Sequence, residues 1–302
     1  IVVIEDSTFV SNTAKQHGGA ILSQYNSSVT VRSSCFENNI AIENDGGAIY
    51  SNCFDTVECD QHALHLYEVN FTGNSAVAGV AGALYMMSGT NTVMNCLFDT
   101  NSGLQAGAIY GRYYDDPSRL IVQESTFQSC TATDGYGGAV WLNMGFTGTF
   151  HSTSFLNNRA KNVGGAMFLH AGSEAIFADG LSKFQGNQGG TVGSGNSQPG
   201  HSIYKHATTG GGAKLSFTKC KPGTFQGSPI AQTSWYDINE DFYGCRYSCQ
   251  PGKTTGDEVT LATSGKSCMA GTEHVDWMHL GGASGAADCL DRVLHSASAK
   301  AE

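Results

Sequence analysis

The sequence predicts an all-β fold, a parallel β-helix of about eight coils over residues 1–220, followed by a small cysteine- and glycine-containing extension over 221–302. Three observations carry this expectation. A Phe with Asn three residues later recurs along the chain, a Gly-Gly-Ala step leading into an apolar pair follows it by roughly ten residues, and no helical periodicity accompanies either.

The Phe/Asn pair occurs at Phe9/Asn12, Phe36/Asn39, Phe71/Asn74, Phe98/Asn101, Phe155/Asn158 and Phe184/Asn187. Phe127 and Phe217 keep the ring, with Cys130 and Cys220 at the Asn place. The intervals from Phe to Phe are 27, 35, 27, 29, 28, 29 and 33 residues. The second motif reads Gly18-Gly19-Ala20-Ile21-Leu22, Gly46-Gly47-Ala48-Ile49-Tyr50, Gly137-Gly138-Ala139-Val140-Trp141 and Gly164-Gly165-Ala166-Met167-Phe168. Ala81-Gly82-Ala83-Leu84-Tyr85 and Ala106-Gly107-Ala108-Ile109-Tyr110 keep it with one glycine lost, as expected of a tight turn feeding a strand. Alternating stretches such as Val29-Thr30-Val31 and Leu120-Ile121-Val122 lie before the next Phe and signal another strand.

Each repeat therefore holds two or three short strands, in a period too short for a βαβ unit. Stacking the repeats pairs equivalent strands at about 4.8 Å, so the Phe rings form a file in the core and the Asn side chains a ladder at the turn. A propeller blade needs about 40–50 residues and fits worse.

The combination of these two motifs resembles the repeats of the chlamydial polymorphic outer-membrane proteins and of related extracellular, pectate-lyase-like β-helix proteins. The resemblance covers roughly residues 1–220. It implies a right-handed parallel β-helix with an adhesive or surface role. No membrane β-barrel segment is recognisable, so autotransport is not part of what it implies.

Composition is consistent with a secreted solenoid. The 39 glycines stand beside only 14% charged residues and 5 prolines. The net charge of −10, with no Lys/Arg cluster, excludes a phosphate-binding stripe and thus nucleic acid. The longest apolar stretch, Ala78 to Met87, is too short to span a bilayer, and the absence of a charged signal-peptide start marks a mature or excised segment. Ten cysteines without CxxC spacing favour disulfides in an oxidising compartment over zinc. Cys53 and Cys59, in the insertion of the longest coil, are close enough to bond each other. Asn26 and Asn70 head glycosylation sequons, which together with the cysteines favour a eukaryotic secretory route and an extracellular or cell-surface location.

The glycine-rich stretches 186–200 and 208–212 read as loops. Repeat signals fade after Cys220, where Cys249-Gln250-Pro251-Gly252-Lys253 weakly resembles small extracellular cysteine-rich modules. Ser284, Ala286, Ala287, Leu290, Val293 and Leu294 predict a short capped helix over the last coil.

Catalysis on a β-helix would need carboxylates converging from neighbouring coils. The best acidic groups are Asp115 and Asp116 beside Arg112, then Asp55, Glu58 and Asp60, then Asp237, Glu240 and Asp241, and all fall in insertions or the tail. No catalytic residue, metal site or cofactor is assigned. The ten histidines show no HExxH; His201 and His206 read equally as a surface pair. Cys130 and Cys220 read as buried small residues as readily as bonded ones.

Two columns follow the glycine step. Ile21, Ile49, Leu84, Ile109, Val140, Met167 and Ile203 precede Leu22, Tyr50, Tyr85, Tyr110, Trp141, Phe168 and Tyr204, and period-two geometry turns the columns to opposite faces. The aliphatics are expected inside. The aromatics are expected outside, as an exposed strip that marks an interaction surface. The resulting reading is a non-enzymatic extracellular structural or adhesive rod, packing head-to-tail or laterally with copies of itself or other extracellular proteins, in its sharper form a filament subunit. The rivals are a pectate-lyase-like polysaccharide-degrading enzyme and a non-catalytic carbohydrate-binding module that uses the aromatic strip on glycans.

Overall fold

The computed structural model describes residues 1–53, 59, 61–113, 118–178, 182–190, 202–206, 212–217, 235–238, 242–243, 268–270 and 273–275. The first coil shows the plan: β1 (Val2–Glu5), β2 (Thr8–Val10), β3 (Thr13–Ala14) and β4 (Ile21–Gln24) follow one another around the coil. The second repeats it with β5 (Ser28–Arg32), β6 (Cys35–Glu37), β7 (Ile40–Ala41) and β8 (Ile49–Asn52), each parallel to its counterpart. Continuing this winding builds four sheets, of which the third holds seven strands, and the strand Lys214–Phe217 then extends the first sheet once more. The coil has four strands rather than two or three, because the Asn is followed by a two-residue strand too short to show an alternation.

The corners explain how so few residues turn the chain. Between the first and second sheets one residue per coil is left-handed: Asp6, Ser33, Glu68, Asn95, Glu124 and Ser152 have φ between 44° and 56°. Ser11, Asn38, Thr100, Ser129 and Asn157 do the same, at 53° or 54°, between the second and third. Each such non-glycine residue costs about 1–2 kcal/mol, a cost offset by the strand pairing on both sides.

The core follows the predicted columns. Phe9, Phe36, Phe71, Phe98, Phe127, Phe155 and Phe184 are in register on the second sheet, their ring centroids separated by 4.6–5.1 Å and their planes nearly parallel. Stacked pairs of this kind add about 0.5–1.5 kcal/mol each beyond area burial. Phe217 does not continue this file. It is in register with Phe177 on the first sheet, whereas the file ends on the second sheet at Phe184. The aliphatic column Ile21 to Ile203 packs into the same core from the fourth sheet.

At the corner after the Phe file, the asparagines hydrogen-bond coil to coil. Asn74 Nδ2 donates to Phe36 O at 2.9 Å and to Asn101 Oδ1 at 2.9 Å, while its own Oδ1 accepts from Asn39 N and Nδ2 at 3.0 and 2.9 Å. Asn12, Asn39, Asn158 and Asn187 make equivalent bonds. Cys130 occupies one rung: its thiol meets Asn101 Nδ2 at 3.9 Å and donates to Phe98 O at 3.5 Å, and full burial pushes the thiol up to about 12. A shorter ladder runs along the preceding corner, where Ser34, Ser125 and Ser182 hydroxyls accept from the backbone N–H of Ser7, Cys96 and Thr153.

The glycine step resolves into two roles. Its first residue is left-handed, whether glycine (Gly18, Gly46, Gly137, Gly164) or alanine (Ala81, Ala106). Its second residue touches the next coil: a Cβ on Gly19, Gly47, Gly82, Gly107 or Gly138 would lie 2.0–2.2 Å from a carbonyl oxygen of the coil above. Alanine is thus tolerated at the first place, and the backbone approach demands glycine at the second.

Beyond the last coil, Trp235–Ile238 pairs antiparallel with Ile203–His206, and Phe242–Tyr243 pairs antiparallel with the Lys183–Gln185 strand. Part of the C-terminal region therefore folds back on the edges of the second and fourth sheets. The predicted helix over 284–294 lies outside the described residues, as do residues 191–201 and 207–211 of the glycine-rich loops and Cys220, Cys245, Cys249 and Cys289.

Candidate functional site

The aromatic column lies on the fourth sheet, opposite the aliphatic one, with Tyr50↔Tyr85, Tyr85↔Tyr110, Tyr110↔Trp141, Trp141↔Phe168 and Phe168↔Tyr204 in register. It is not exposed. Tyr50, Tyr85, Tyr110, Trp141, Phe168 and Tyr204 are 4–9% exposed and form a second apolar cluster, while Leu22 in the first coil is 51% exposed. The expected interaction strip is thereby corrected. The aromatics turn away from the main core as period-two geometry requires, but the segments entering the fourth sheet fold over them. The covering residue immediately precedes the glycine step. His17 packs on Tyr50 at 4.2 Å, and Tyr136 stacks on Phe168 at 4.7 Å and meets Trp141 edge-on at 5.7 Å. Val80 and Val163 belong to the same layer. The apolar character of Val80, Tyr136 and Val163 just before the step is the signal that sequence reasoning missed.

Burial pushes the hydroxyls of Tyr50, Tyr85 and Tyr110 above the usual tyrosine value. Asp45, also in the covering layer, is pushed up by burial, an effect opposed by the Val80 N–H at 2.8 Å and by His17.

Two residues beyond the aromatics, on the same face, runs a mixed row. Asn52, Met87, Arg112 and Asn143 are in register, and His170 follows Leu169 on the next strand. Asn52 and Asn143 donate to the hydroxyls of Tyr50 and Tyr110, both at 2.6 Å. The His170 and His206 rings stack at 5.1 Å. Among the described residues, Arg112 Nε, Trp141 Nε1, Asn143 Oδ1 and His170 Nδ1 are buried without a protein hydrogen-bond partner.

The outer face of the first sheet is built differently. Val3, Thr30, His65, Thr92, Ile121, Thr149 and Ile176 form one outward row in register, half-buried or exposed throughout. Beside it Glu5 pairs with Arg32 at 3.5 Å, and the Arg32 guanidinium lies over the Tyr67 ring at 5.4 Å.

The remaining sequence-based expectations fall as follows. Cys53 and Cys59 are bonded, with Cα atoms 5.8 Å apart. Asn26 and Asn70 are both exposed. Asp55, Glu58, Asp60, Asp115, Asp116, Glu240, Asp241 and His201 lie outside the described residues, and of Asp237 only the strand is described. Among the described residues no group of three or more His, Cys, Asp or Glu is placed to hold a metal ion.

The sequence model of the Chlamydia polymorphic membrane protein repeat matches residues 6–24 and 33–52. Each span contains one Phe/Asn corner and one glycine step, ending on the fourth-sheet strand. The probable autotransporter YfaL of Escherichia coli (strain K12) is 26% identical over 194 residues, which is 59% of this chain and 15% of that protein. The chain thus spans a small part of the length of this curated relative. No solved structure matches the chain. Motif, register and family match agree over residues 6–24 and 33–52, which are similar to the Chlamydia polymorphic membrane protein repeat and form successive coils of a parallel β-helix.

Proposed function

We propose that this chain is the rod of a cell-surface, non-enzymatic adhesive protein, and that it contacts its partner through the outer face of the first sheet. The observation that carries the reading is the contrast between two faces of one solenoid. The fourth sheet is covered by its own chain, whereas the first presents an open row of β-branched and small polar side chains from Val3 to Ile176. A flat, preformed face of this kind loses little side-chain entropy on contact, since Val, Ile and Thr are stiff at χ1. The match to a polymorphic membrane protein repeat and the autotransporter relative support the location.

Assembly with further copies is the structural form of the same reading. The antiparallel strands Trp235–Ile238 and Phe242–Tyr243 occupy sheet edges at the last coil, which favours lateral over head-to-tail contact. The test uses the full chain immobilised on beads and incubated with epithelial cells. Adherence that falls at least fivefold in an Ile121→Arg, Thr149→Arg double variant of unchanged circular dichroism supports the reading. Adherence equal to that of bare beads refutes it. Sedimentation of the same proteins at high concentration separates self-assembly from adhesion.

A further inference from the structure

We propose that the outer face of the first sheet pairs with the same face of a second copy of this chain, the two rods running antiparallel about a twofold axis that lies over Thr147 and Thr149. The inference rests on the reading above, in which this face makes the contact, and it names the partner.

Three successive strands carry it: Ser118–Gln123, Thr147–His151 and Glu174–Phe177. Alternation turns Leu120, Val122, Phe150, Ala175 and Phe177 into the core and leaves Arg119, Ile121, Thr147, Thr149, Glu174 and Ile176 on the outer face. The register arranges these six in two files, Arg119 to Thr147 to Glu174 and Ile121 to Thr149 to Ile176. Each file is centred on a threonine. In the first the flanking side chains carry opposite charge, and in the second both are isoleucine. Arg119 and Ile121 are exposed, the latter by 36%, and the other four are half-buried. Among the described residues neither Arg119 nor Glu174 forms an ion pair within its own chain; Arg119 Nε donates to the neutral Thr90 hydroxyl at 3.0 Å.

An interface between two copies related by a twofold axis must be complementary to itself. When the axis lies along the strand direction, each file meets its own copy in reverse order. An axis over Thr147 and Thr149 therefore sets Arg119 of each copy against Glu174 of the other and Ile121 against Ile176, while the two threonines face their own copies. Two ion pairs and two apolar contacts form together. Neighbouring axes do not give this match. Moved one strand either way, the axis sets Arg119 against itself or Glu174 against itself. Placed between the Thr147 and Glu174 strands, it sets Arg119 against Lys214, the Cα partner of Glu174 on the next strand. Parallel rods would set Arg119 against Gln123 and leave its charge unmatched. Like charges brought face to face oppose association, so the charges select one register. At about 4.8 Å per strand, the overlap from Gly89–Met94 to Lys214–Phe217 is about 20–25 Å long, at the small end of stable interfaces, and a dissociation constant in the micromolar range is expected.

The test is sedimentation velocity of the full chain across micromolar concentrations, as wild type, Arg119→Glu, Glu174→Arg and the double swap, all with unchanged circular dichroism. The wild type should dimerise. Each single substitution opposes like charges at two places and should weaken the dimer at least tenfold, whereas the double swap rebuilds both pairs with signs exchanged and should restore it. Thr149→Cys, on the axis, should cross-link to its copy through a short bismaleimide more than the wild type does, and Thr30→Cys, four strands away on the same row, should not. The proposal is overturned by a wild type that stays monomeric, by a double swap no tighter than the single variants, or by equal cross-linking of Thr30→Cys and Thr149→Cys. Bead adherence separates the two readings: adherent beads carrying a monomeric protein sink the pairing alone, and a dimer whose beads do not adhere sinks the adhesive reading alone.

Discussion

Replacing Cys130 by Asn should stabilise the protein. Elsewhere along the corner ladder, Asn N–H and Nδ2 groups reach the next Asn Oδ1 at 2.8–3.1 Å, and Nδ2 reaches a Phe carbonyl at 2.8–2.9 Å. At Cys130 the corresponding contacts are a thiol 3.9 Å from Asn101 Nδ2 and 3.5 Å from Phe98 O. The backbone N–H of Cys130 already bonds to Asn158 Oδ1 at 3.0 Å, so the rung is positioned and only its side chain is weak. Asn and Cys are close in size. The substitution converts four weak or missing bonds into ordinary ones, each worth about 0.5–1.5 kcal/mol net, so after the entropy of holding the amide and the loss of the thiol's own contacts a gain of about 1–2 kcal/mol is expected. Cys130→Ala should cost about 2 kcal/mol, because buried donors on Asn101 lose their partner. Urea denaturation followed by circular dichroism measures both, with an unchanged slope confirming a comparable transition. A Cys130→Asn variant no more stable than the Cys130→Ala variant would refute the ladder account. Because burial pushes the thiol up to about 12, Cys130 should also resist iodoacetamide at pH 8 until the chain is unfolded, as read by mass spectrometry.

Four other outcomes follow from the same geometry. Gly107→Ala, whose Cβ would lie 2.0 Å from Gly138 O, should lose about 3 kcal/mol or fail to fold, whereas Ala106→Gly should stay within about 1 kcal/mol of wild type, since relief of its 56° φ opposes the loss of a buried methyl; urea midpoints distinguish them. Trp141→Ala should lower stability by about 3–5 kcal/mol in a thermal melt, because the ring fills the second apolar cluster. Burial holds His62, His65 and His170 below the usual histidine value; the unfolded chain therefore gains protons below about pH 6.5 that the folded chain refuses, and the melting temperature should fall from pH 7 to pH 5. Secretion from eukaryotic cells should add glycans at the exposed Asn26 and Asn70, each lost on Asn→Gln substitution, as read by intact mass.

The winding is legible in the chain alone, because a solenoid writes its register into the order of its residues. Each Phe of the file lies one coil from the next, so the recurrence of Phe9, Phe36, Phe71 and Phe98 translates directly into stacking, and the same holds for Asn39, Asn74 and Asn101. Phe217 escaped this logic, since one ring looks like another and only the pairing with Phe177 assigns its sheet. The left-handed corners were silent as well. Asp6, Ser33, Glu68, Asn95 and Glu124 share a conformation but no side-chain chemistry, because the strands on either side impose it. For the candidate site, alternation established that Tyr50, Tyr85, Tyr110 and Trp141 face away from the aliphatic column. Whether that face meets water emerged only from the folded coils: period-two geometry assigns a side chain to a face, while its exposure depends on the path of the preceding loop, which here lays His17, Val80, Tyr136 and Val163 over the rings.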